Sequence, residues 1–303
     1  MKYYIAIPTY NGGDVWHSVV ENIEKYAPNG LFVQVIDSSS KDDTASFAKN
    51  AGFDVLTIDG NEFNHGGSRN KVVENFIHQY DVVIFLTQDA IPQAGFIEGI
   101  VEAFKDDKVA CAYGRQLPHL DANPLAIHTR YFSYPEKGYV CGSENIPEMG
   151  LKTVFMSNSF SAYRLSVFNQ LGGFPSNTIL CEDMYYTAKA VQAGYKVAYV
   201  PNAIVRHSHN YSAIDEFKRY FDIGVFHTDE PWIRRCFGGA GGEGKKFIFS
   251  ELKFLLNNSP LWIPVSFLNN FMKILGYKLG QRYKKLPKKL IKKFSMHKRY
   301  WGF

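Results

Sequence analysis

Short apolar runs alternate with helical patterns through the first half of the chain, and this alternation constrains the fold more than any other feature. Tyr3-Ile7, Phe32-Ile36, Val55-Ile58, Val82-Leu86 and Val109-Tyr113 read as strands. Val15-Tyr26, Thr44-Asn50, Ser68-His78 and Ile97-Phe104 read as helices between them. The pattern predicts an α/β fold with a mostly parallel central sheet and helices on both faces. Ligands of such sheets bind beyond the carboxyl ends of the strands. Those ends carry Thr9-Tyr10-Asn11, Asp37-Ser38-Ser39 and Thr87-Gln88-Asp89, which should converge on one crevice.

From about Gln116 to Asn158 four prolines interrupt the alternation. This stretch reads as an irregular insertion, with a helix or two, lining the opposite side of the crevice. A short helix at Ser166-Leu171 precedes the turn Gly172-Gly173. Glu182-Ala193 reads as a helix closed by Gly194, and Lys196-Val200 as a strand. Ser212-x-x-Asp215 is a capping box opening a helix over Ile214-Phe226. The glycine-rich run from Gly238 to Gly244 reads as a hinge. It divides a domain at 1–235 from a helical, basic region at 236–303.

Composition narrows the function. The four cysteines are scattered, with no CxxC pair, so a zinc or thioredoxin-like motif is disfavoured and free thiols are expected. No signal peptide is legible, and no apolar run approaches the ~18 residues needed to span a bilayer. Residues after Glu251 hold 12 of the 34 Lys and Arg and none of the 29 Asp and Glu, which leaves the rest acidic, at a formal −7. An aromatic content of 16% suits either a thick core or a sugar-binding or membrane-facing surface.

The residues with candidate chemistry lie at the strand ends and beyond. Glu182-Asp183 opens a helix; on local grounds such a pair compensates the helix dipole, and in a crevice it can supply a base. Asp37 at a strand end can accept from a ribose or base, or cap the following helix. Asp89 leaves the most apolar strand, where a carboxylate can hold Mg²⁺ or Mn²⁺ against a diphosphate. His207 and His209 share a face of an extended segment, and either can add a ligand. Arg69 and Arg206 can neutralise phosphate, and His65-Gly66-Gly67 can let the backbone approach one. No GxGxxG or P-loop motif is present, so dinucleotide and P-loop enzymes are disfavoured.

In order and spacing these elements resemble the inverting family 2 glycosyltransferases of GT-A fold, and more narrowly the bacterial rhamnosyltransferases of O-antigen and cell-wall polysaccharide assembly. The opening Pro8-Thr9-Tyr10-Asn11 matches, as does Asp37 through Thr44, without the family's second Asp. Phe63 through Asn70 is similar to the rhamnosyltransferase subgroup. The metal motif is reduced to Thr87-Gln88-Asp89, Gly172-Gly173-Phe174 keeps the glycine turn, and Glu182-Asp183 stands for the acidic pair. The resemblance covers about residues 1–230. It implies Asp183 as base with Glu182 orienting it. It implies a donor site of Pro8, Thr9, Tyr10, Asn11, Asp37, Ser39, His65, Gly66, Arg69, Gln88 and Asp89, with metal at Asp89 and His207.

The implied activity is transfer of L-rhamnose from dTDP-rhamnose to a polyprenyl-diphosphate-linked saccharide on the cytoplasmic, inner face of the plasma membrane. Transfer of another hexose from a UDP-sugar is an alternative, as is a non-catalytic nucleotide-sugar-binding subunit. Trp232, Arg234 and Arg235 are candidates for acceptor contact. The tail interleaves apolar clusters with Lys284-Lys285, Lys288-Lys289 and Lys292-Lys293, which reads as peripheral attachment to an anionic membrane rather than to nucleic acid.

Overall fold

A computed structural model describes residues 1–239 and 242–302; the centre of the glycine-rich run, Ala240 and Gly241, lies outside the described residues. The first half runs β1 (Tyr3–Thr9), α1 (Gly13–Tyr26), β2 (Val33–Asp37), α2 (Thr44–Asn50), β3 (Asp54–Thr57), α3 (His65–Glu74), β4 (Val82–Leu86), β5 (Ile91–Pro92), α4 (Phe96–Glu102) and β6 (Val109–Leu117). Then come α5 (Pro124–Ser133), β7 (Tyr139–Cys141), α6 (Ile146–Met149), β8 (Phe160–Arg164), α7 (Leu165–Gln170), α8 (Glu182–Gln192) and β9 (Lys196–Arg206). Helices close the chain: α9 (Ala213–Asp229), α10 (Pro231–Phe237), α11 (Glu243–Asn258), α12 (Ile263–Gly280) and α13 (Lys288–Phe294).

The strands form one mixed sheet in the order β3-β2-β1-β4-β8-β6-β9-β5, with β7 paired to β9. The β3-β2-β1-β4 half is parallel, as the alternation predicts. β8, which the sequence pattern did not show, enters antiparallel between β4 and β6. Its sequence, FSAYR, is short and almost wholly buried, so neither an apolar run nor an alternation marks it. β6 and β9 also run past the predicted Tyr113 and Val200, to Leu117 and Arg206.

Successive residues of the buried strands feed opposite cores. Tyr4, Ala6, Val83 and Phe85 pack on one face of the sheet, and Ile5, Ile7, Ile84 and Leu86 on the other. The aromatic residues largely serve the first core: Tyr163, Phe168, Phe174 and Tyr186 form a cluster of ring contacts there, Phe168 and Phe174 at 4.9 Å.

α12 lies directly along α9. A Cβ at Gly280 would stand 2.0 Å from the Phe221 carbonyl oxygen, and one at Gly276 2.2 Å from that of Phe217. These backbones touch because glycines face the contact from both helices, Gly276 and Gly280 on α12 and Gly224 on α9. The inward face of α12 is otherwise polar, with Ser266 and Asn269 buried and Lys273 paired to Glu216 at 3.2 Å. Its apolar side chains point outward: Phe267, Leu268, Phe271 and Ile274 are each more than half exposed.

Overpacking a tight contact costs about 1–3 kcal/mol. Gly280→Ala should therefore lower unfolding stability by about 3 kcal/mol in a urea titration; an unchanged midpoint would show that α12 is not clamped to α9.

Candidate active site

The strand ends converge as the alternation predicts. Thr9 Oγ1 donates to Asp37 Oδ1 at 2.9 Å, and the Ser40 amide donates to Asp37 Oδ2 at 2.9 Å. Buried Asp37 thus ties β1 to the loop after β2, and Pro8 pairs within β1 opposite Ile36. Tyr10 and Gln88 exchange two hydrogen bonds, the Tyr10 amide to Gln88 Oε1 at 2.7 Å and Gln88 Nε2 to the Tyr10 carbonyl at 3.1 Å. The Asn11 amide donates to Ser40 Oγ at 2.9 Å, and Ser39 Oγ donates to the Ile58 carbonyl at 2.7 Å.

Among the described residues, Asn11, Ser39 and Cys181 are the non-glycine positions with positive φ, at 46°, 60° and 59°. Each costs on the order of 1–3 kcal/mol, least for Asn, and such strain concentrates at functional sites. Two lie at strand ends, and the third starts the helix that carries the acidic pair.

Cys181 is the left-handed cap of α8, so Glu182 and Asp183 occupy its first turn. The two carboxylates meet different surroundings. Glu182 Oε1 accepts from Arg69 Nη1 at 3.1 Å and from Asn158 Nδ2 at 2.8 Å, with both ion-pair partners buried. Asp183 accepts from two amides, Asn158 N at 3.1 Å and Met184 N at 2.7 Å. Ser161 and Tyr163 hydroxyls fix Asn158 by donating to its Oδ1 at 2.9 and 2.7 Å.

Burial, the largest influence, would raise the Glu182 pKa, but the Arg69 charge, His65 and hydrogen bonds from Asn158 and the backbone together keep the group below its ordinary value. For Asp183, burial and then the Glu182 charge both act upward, and its pKa is raised. Two adjacent carboxylates are thereby driven apart: one is a fixed anion, the other a proton acceptor tuned toward neutrality.

Arg69, read from the sequence as a partner for phosphate, is committed to Glu182 and, at 2.9 Å, to the His65 carbonyl. Gly66 has a packing reason to be glycine, since a Cβ there would stand 2.0 Å from the Pro175 carbonyl oxygen. Arg206 donates to the Pro118 carbonyl at 2.7 Å. On α10, Trp232 Nε1 donates to Glu230 at 2.8 Å, Arg234 donates to the Tyr277 hydroxyl at 2.8 Å, and Arg235 is exposed.

At the other end of the crevice Asp89 faces His207 and His209, with Nε2 atoms 3.4 and 3.7 Å from its Oδ2. The hydrogen bonds behind His207 settle its tautomer. Arg130 Nη1 can only donate, and it meets Gln116 Oε1 at 2.8 Å. The same oxygen lies 2.9 Å from His207 Nδ1, so Nδ1 carries a hydrogen. Were the ring neutral, a bare Nε2 lone pair would face the Asp89 carboxylate. Two acceptors would then face each other, so a proton or a cation must lie between them.

The ligand atoms of the three residues lie within 4.8 Å of one another. Bonds of roughly 2.0–2.2 Å to one ion place ligands up to about 4.4 Å apart, so a small contraction closes the site. Burial, followed by His207, pushes the His209 pKa down to about 4, which leaves that imidazole neutral and able to ligate. Burial would raise the Asp89 pKa, but the charge and hydrogen bond that His207 offers when it carries a proton on Nε2, followed by Thr87 and His209, hold it well below the usual carboxylate range. The residues present fit a divalent cation.

Asn158, Gln116 and Arg130 were not found from the sequence. Gln116 had a usable signal, a polar side chain at the carboxyl end of an apolar strand. The end placed at Tyr113 hid it. Asn158 precedes a strand that the pattern did not reveal.

Residues 2–221 match the family described as glycosyltransferase-like family 2. The chain belongs to this family of glycosyltransferases. It is 52% identical over 306 residues to the O-antigen chain rhamnosyltransferase RfbN of Salmonella typhimurium strain LT2, covering 100% of this chain and 96% of that protein. It is 50% identical to the O-antigen chain rhamnosyltransferase WbaN of Salmonella anatum, covering 99% and 96%. In fold it is similar to the mannosyltransferase PcManGT from Pyrobaculum calidifontis in complex with GDP-Man and Mn²⁺. The TM-score is 0.65 at 15% identity over 93% of this chain and 88% of that one. It is also similar to residues 1–349 of Staphylococcus aureus TarS in complex with UDP-GlcNAc, with a TM-score of 0.54 at 14% identity over 94% and 92%. The GT-A fold expected from the sequence motifs is the observed one.

Outer-shell partners of a metal-binding histidine typically contribute 10–100-fold in metal affinity. Gln116→Leu should weaken Mn²⁺ binding about 10-fold or more by isothermal titration while leaving the far-ultraviolet circular dichroism unchanged. Equal affinity would mean that the Arg130–Gln116–His207 chain does not orient the ligand.

Proposed function

We propose that this enzyme transfers L-rhamnose from dTDP-rhamnose, with inversion, to a polyprenyl-diphosphate-linked saccharide during synthesis of an O-antigen-like polysaccharide. The observation that carries the chemistry is the split pair at the head of α8, where anionic Glu182 is neutralised by Arg69 and leaves Asp183 as the proton acceptor. The choice of sugar rests on the full-length similarity to two rhamnosyltransferases.

Asp183 accepts the proton of the acceptor hydroxyl. The hydroxyl oxygen bonds to the anomeric carbon from the face opposite the nucleotide. The bond from that carbon to the diphosphate oxygen breaks, and its electron pair leaves with dTDP. Thr9, Tyr10, Asn11, Asp37, Ser39 and Gln88 line the nucleoside end of the crevice; Asp89, His207 and His209 lie where the diphosphate departs. These three would hold a divalent cation, which would supply positive charge against the leaving diphosphate. Two imidazoles with one carboxylate suit a transition metal such as Mn²⁺ better than Mg²⁺. Trp232, Arg234 and Arg235 remain candidates for acceptor contact.

Residues 236–303 serve, on this reading, as the membrane-facing part of the enzyme, at the cytoplasmic face. Among the described residues no helix is long and apolar enough to cross a membrane. The outward apolar face of α12 suits an interfacial position instead, with Phe267 at 62% and Phe271 at 60% exposure. Lys288, Lys289, Lys292, Lys293 and Lys298 line one groove, a cationic surface of the kind that meets anionic lipid.

Asp183→Asn should abolish transfer from dTDP-rhamnose while dTDP affinity stays within about 3-fold; comparable loss of both would make Asp183 structural. Against UDP-glucose, UDP-galactose, UDP-GlcNAc and GDP-mannose, dTDP-rhamnose should be the donor hydrolysed slowly without acceptor, and hydrolysis of a UDP- or GDP-sugar instead would overturn the donor. Phe267→Ser with Phe271→Ser should leave activity on a soluble acceptor intact and release the protein from anionic vesicles in a sedimentation assay. Undiminished pelleting would remove α12 from the membrane contact.

A further inference from the structure

The final segment of the chain is tied down at the crevice rather than frayed. Termini are poorly ordered unless something holds them. Here Asp222, fully buried on α9, accepts from the amides of Met296 at 2.8 Å and His297 at 3.1 Å through one carboxylate oxygen. Beyond that anchor, His297 Nδ1 lies 3.3 Å from His65 Nε2, at the start of α3. Tyr300 OH donates to the Asn177 carbonyl at 3.0 Å, in the loop leading to Glu182. Trp301 is buried, against Tyr283 and Tyr300. Within this segment Arg299 Nη1 donates to the Gly60 carbonyl at 3.2 Å, and its guanidinium lies over the Tyr10 ring with its centre 5.4 Å away.

Gly60 and Tyr10 follow the carboxyl ends of β3 and β1, on the rim where a parallel sheet takes its ligand. Arg299 is exposed there, and among the described residues no carboxylate pairs with it. A guanidinium that stacks on an aromatic ring and keeps unused donors can bind a planar base, or the phosphates attached to it. Arg219, which interacts electrostatically with His209 and His297, and Lys41 beside Asn11 are other cations near the crevice, but the two arginines that the sequence marks for phosphate are engaged elsewhere. Arg69 is consumed by Glu182, Arg206 turns to a carbonyl, and the chain up to Glu251 carries a net negative charge.

We propose that the C-terminal segment from Ser295 to Trp301 is a wall of the donor site, and that Arg299 binds the nucleoside diphosphate of the donor beside Tyr10. This deepens the glycosyltransferase reading and rests on it. The basic tail then has two separate roles. Its α12 face meets the membrane, and Arg299 adds a cation to the rim of the crevice beside Tyr10.

The test is isothermal titration of the full-length protein with dTDP and Mn²⁺, for wild type, Arg299→Ala and Arg299→Lys. Wild type should bind. Arg299→Ala should weaken binding 10-fold or more with an unchanged melting temperature of the free protein, and Arg299→Lys should recover only part, because an ammonium cannot stack as a guanidinium does. Equal affinity of wild type and Arg299→Ala would overturn the proposal and leave the glycosyltransferase reading standing. Tighter binding by Arg299→Ala would also overturn it, by showing that the segment obstructs the site. Failure of wild type to bind dTDP, UDP or GDP would defeat the donor reading itself, and this proposal with it.

Discussion

The buried ion pair between Arg69 and Glu182 is the interaction on which the site depends. It joins the second turn of α3 to the first turn of α8, and through Asn158 it reaches the segment entering β8. Removing one partner of such a pair strands a charge in the interior, at a cost of about 3–5 kcal/mol. The pair also decides the chemistry next door. With the charge of Glu182 fixed, Asp183 is the carboxylate free to gain and lose a proton. Behind them the Tyr163, Phe168, Phe174 and Tyr186 cluster excludes water and holds Asn158 through Tyr163.

The opposite end of the crevice uses the same logic with different residues. A guanidinium orients an amide, the amide orients an imidazole, and the imidazole presents its Nε2 toward Asp89. Each end of the site is thus positioned by an arginine that bonds to neither Asp183 nor the Asp89, His207 and His209 cluster. Neither Arg69 nor Arg130 is then free to meet a ligand. The packing of α12 on α9, backbone against backbone, brings the chain back to where Asp222 can anchor it.

Much of this was legible in the sequence because parallel strands with interleaved helices leave a strong local pattern. β1, β2 and β4, their connecting helices, and the polar residues at their carboxyl ends follow from apolar runs and turn residues alone. The capping box at Ser212 and Asp215 appears with both its hydrogen bonds. What was not legible depends on contacts distant in sequence. β8 is a short buried strand that owes its place to neighbours on both sides, and the role of Asn158 follows from that place. Arg69 carries the motif of a phosphate ligand, but only the fold shows Glu182 beside it. The tail reads as basic and amphipathic, yet nothing in its composition tells which face of α12 is apolar or that Arg299 returns to Tyr10.

The central claim is that the charge of Glu182 sets the proton affinity of Asp183. The most direct test is the pH dependence of kcat/KM for rhamnosyl transfer in wild type and Glu182→Gln. The acid limb in wild type should lie above the ordinary carboxylate range, with activity rising as Asp183 loses its proton. In Glu182→Gln that limb should move to lower pH, because the neighbouring negative charge is gone. An acid limb that stays in place, or moves upward, would contradict the account.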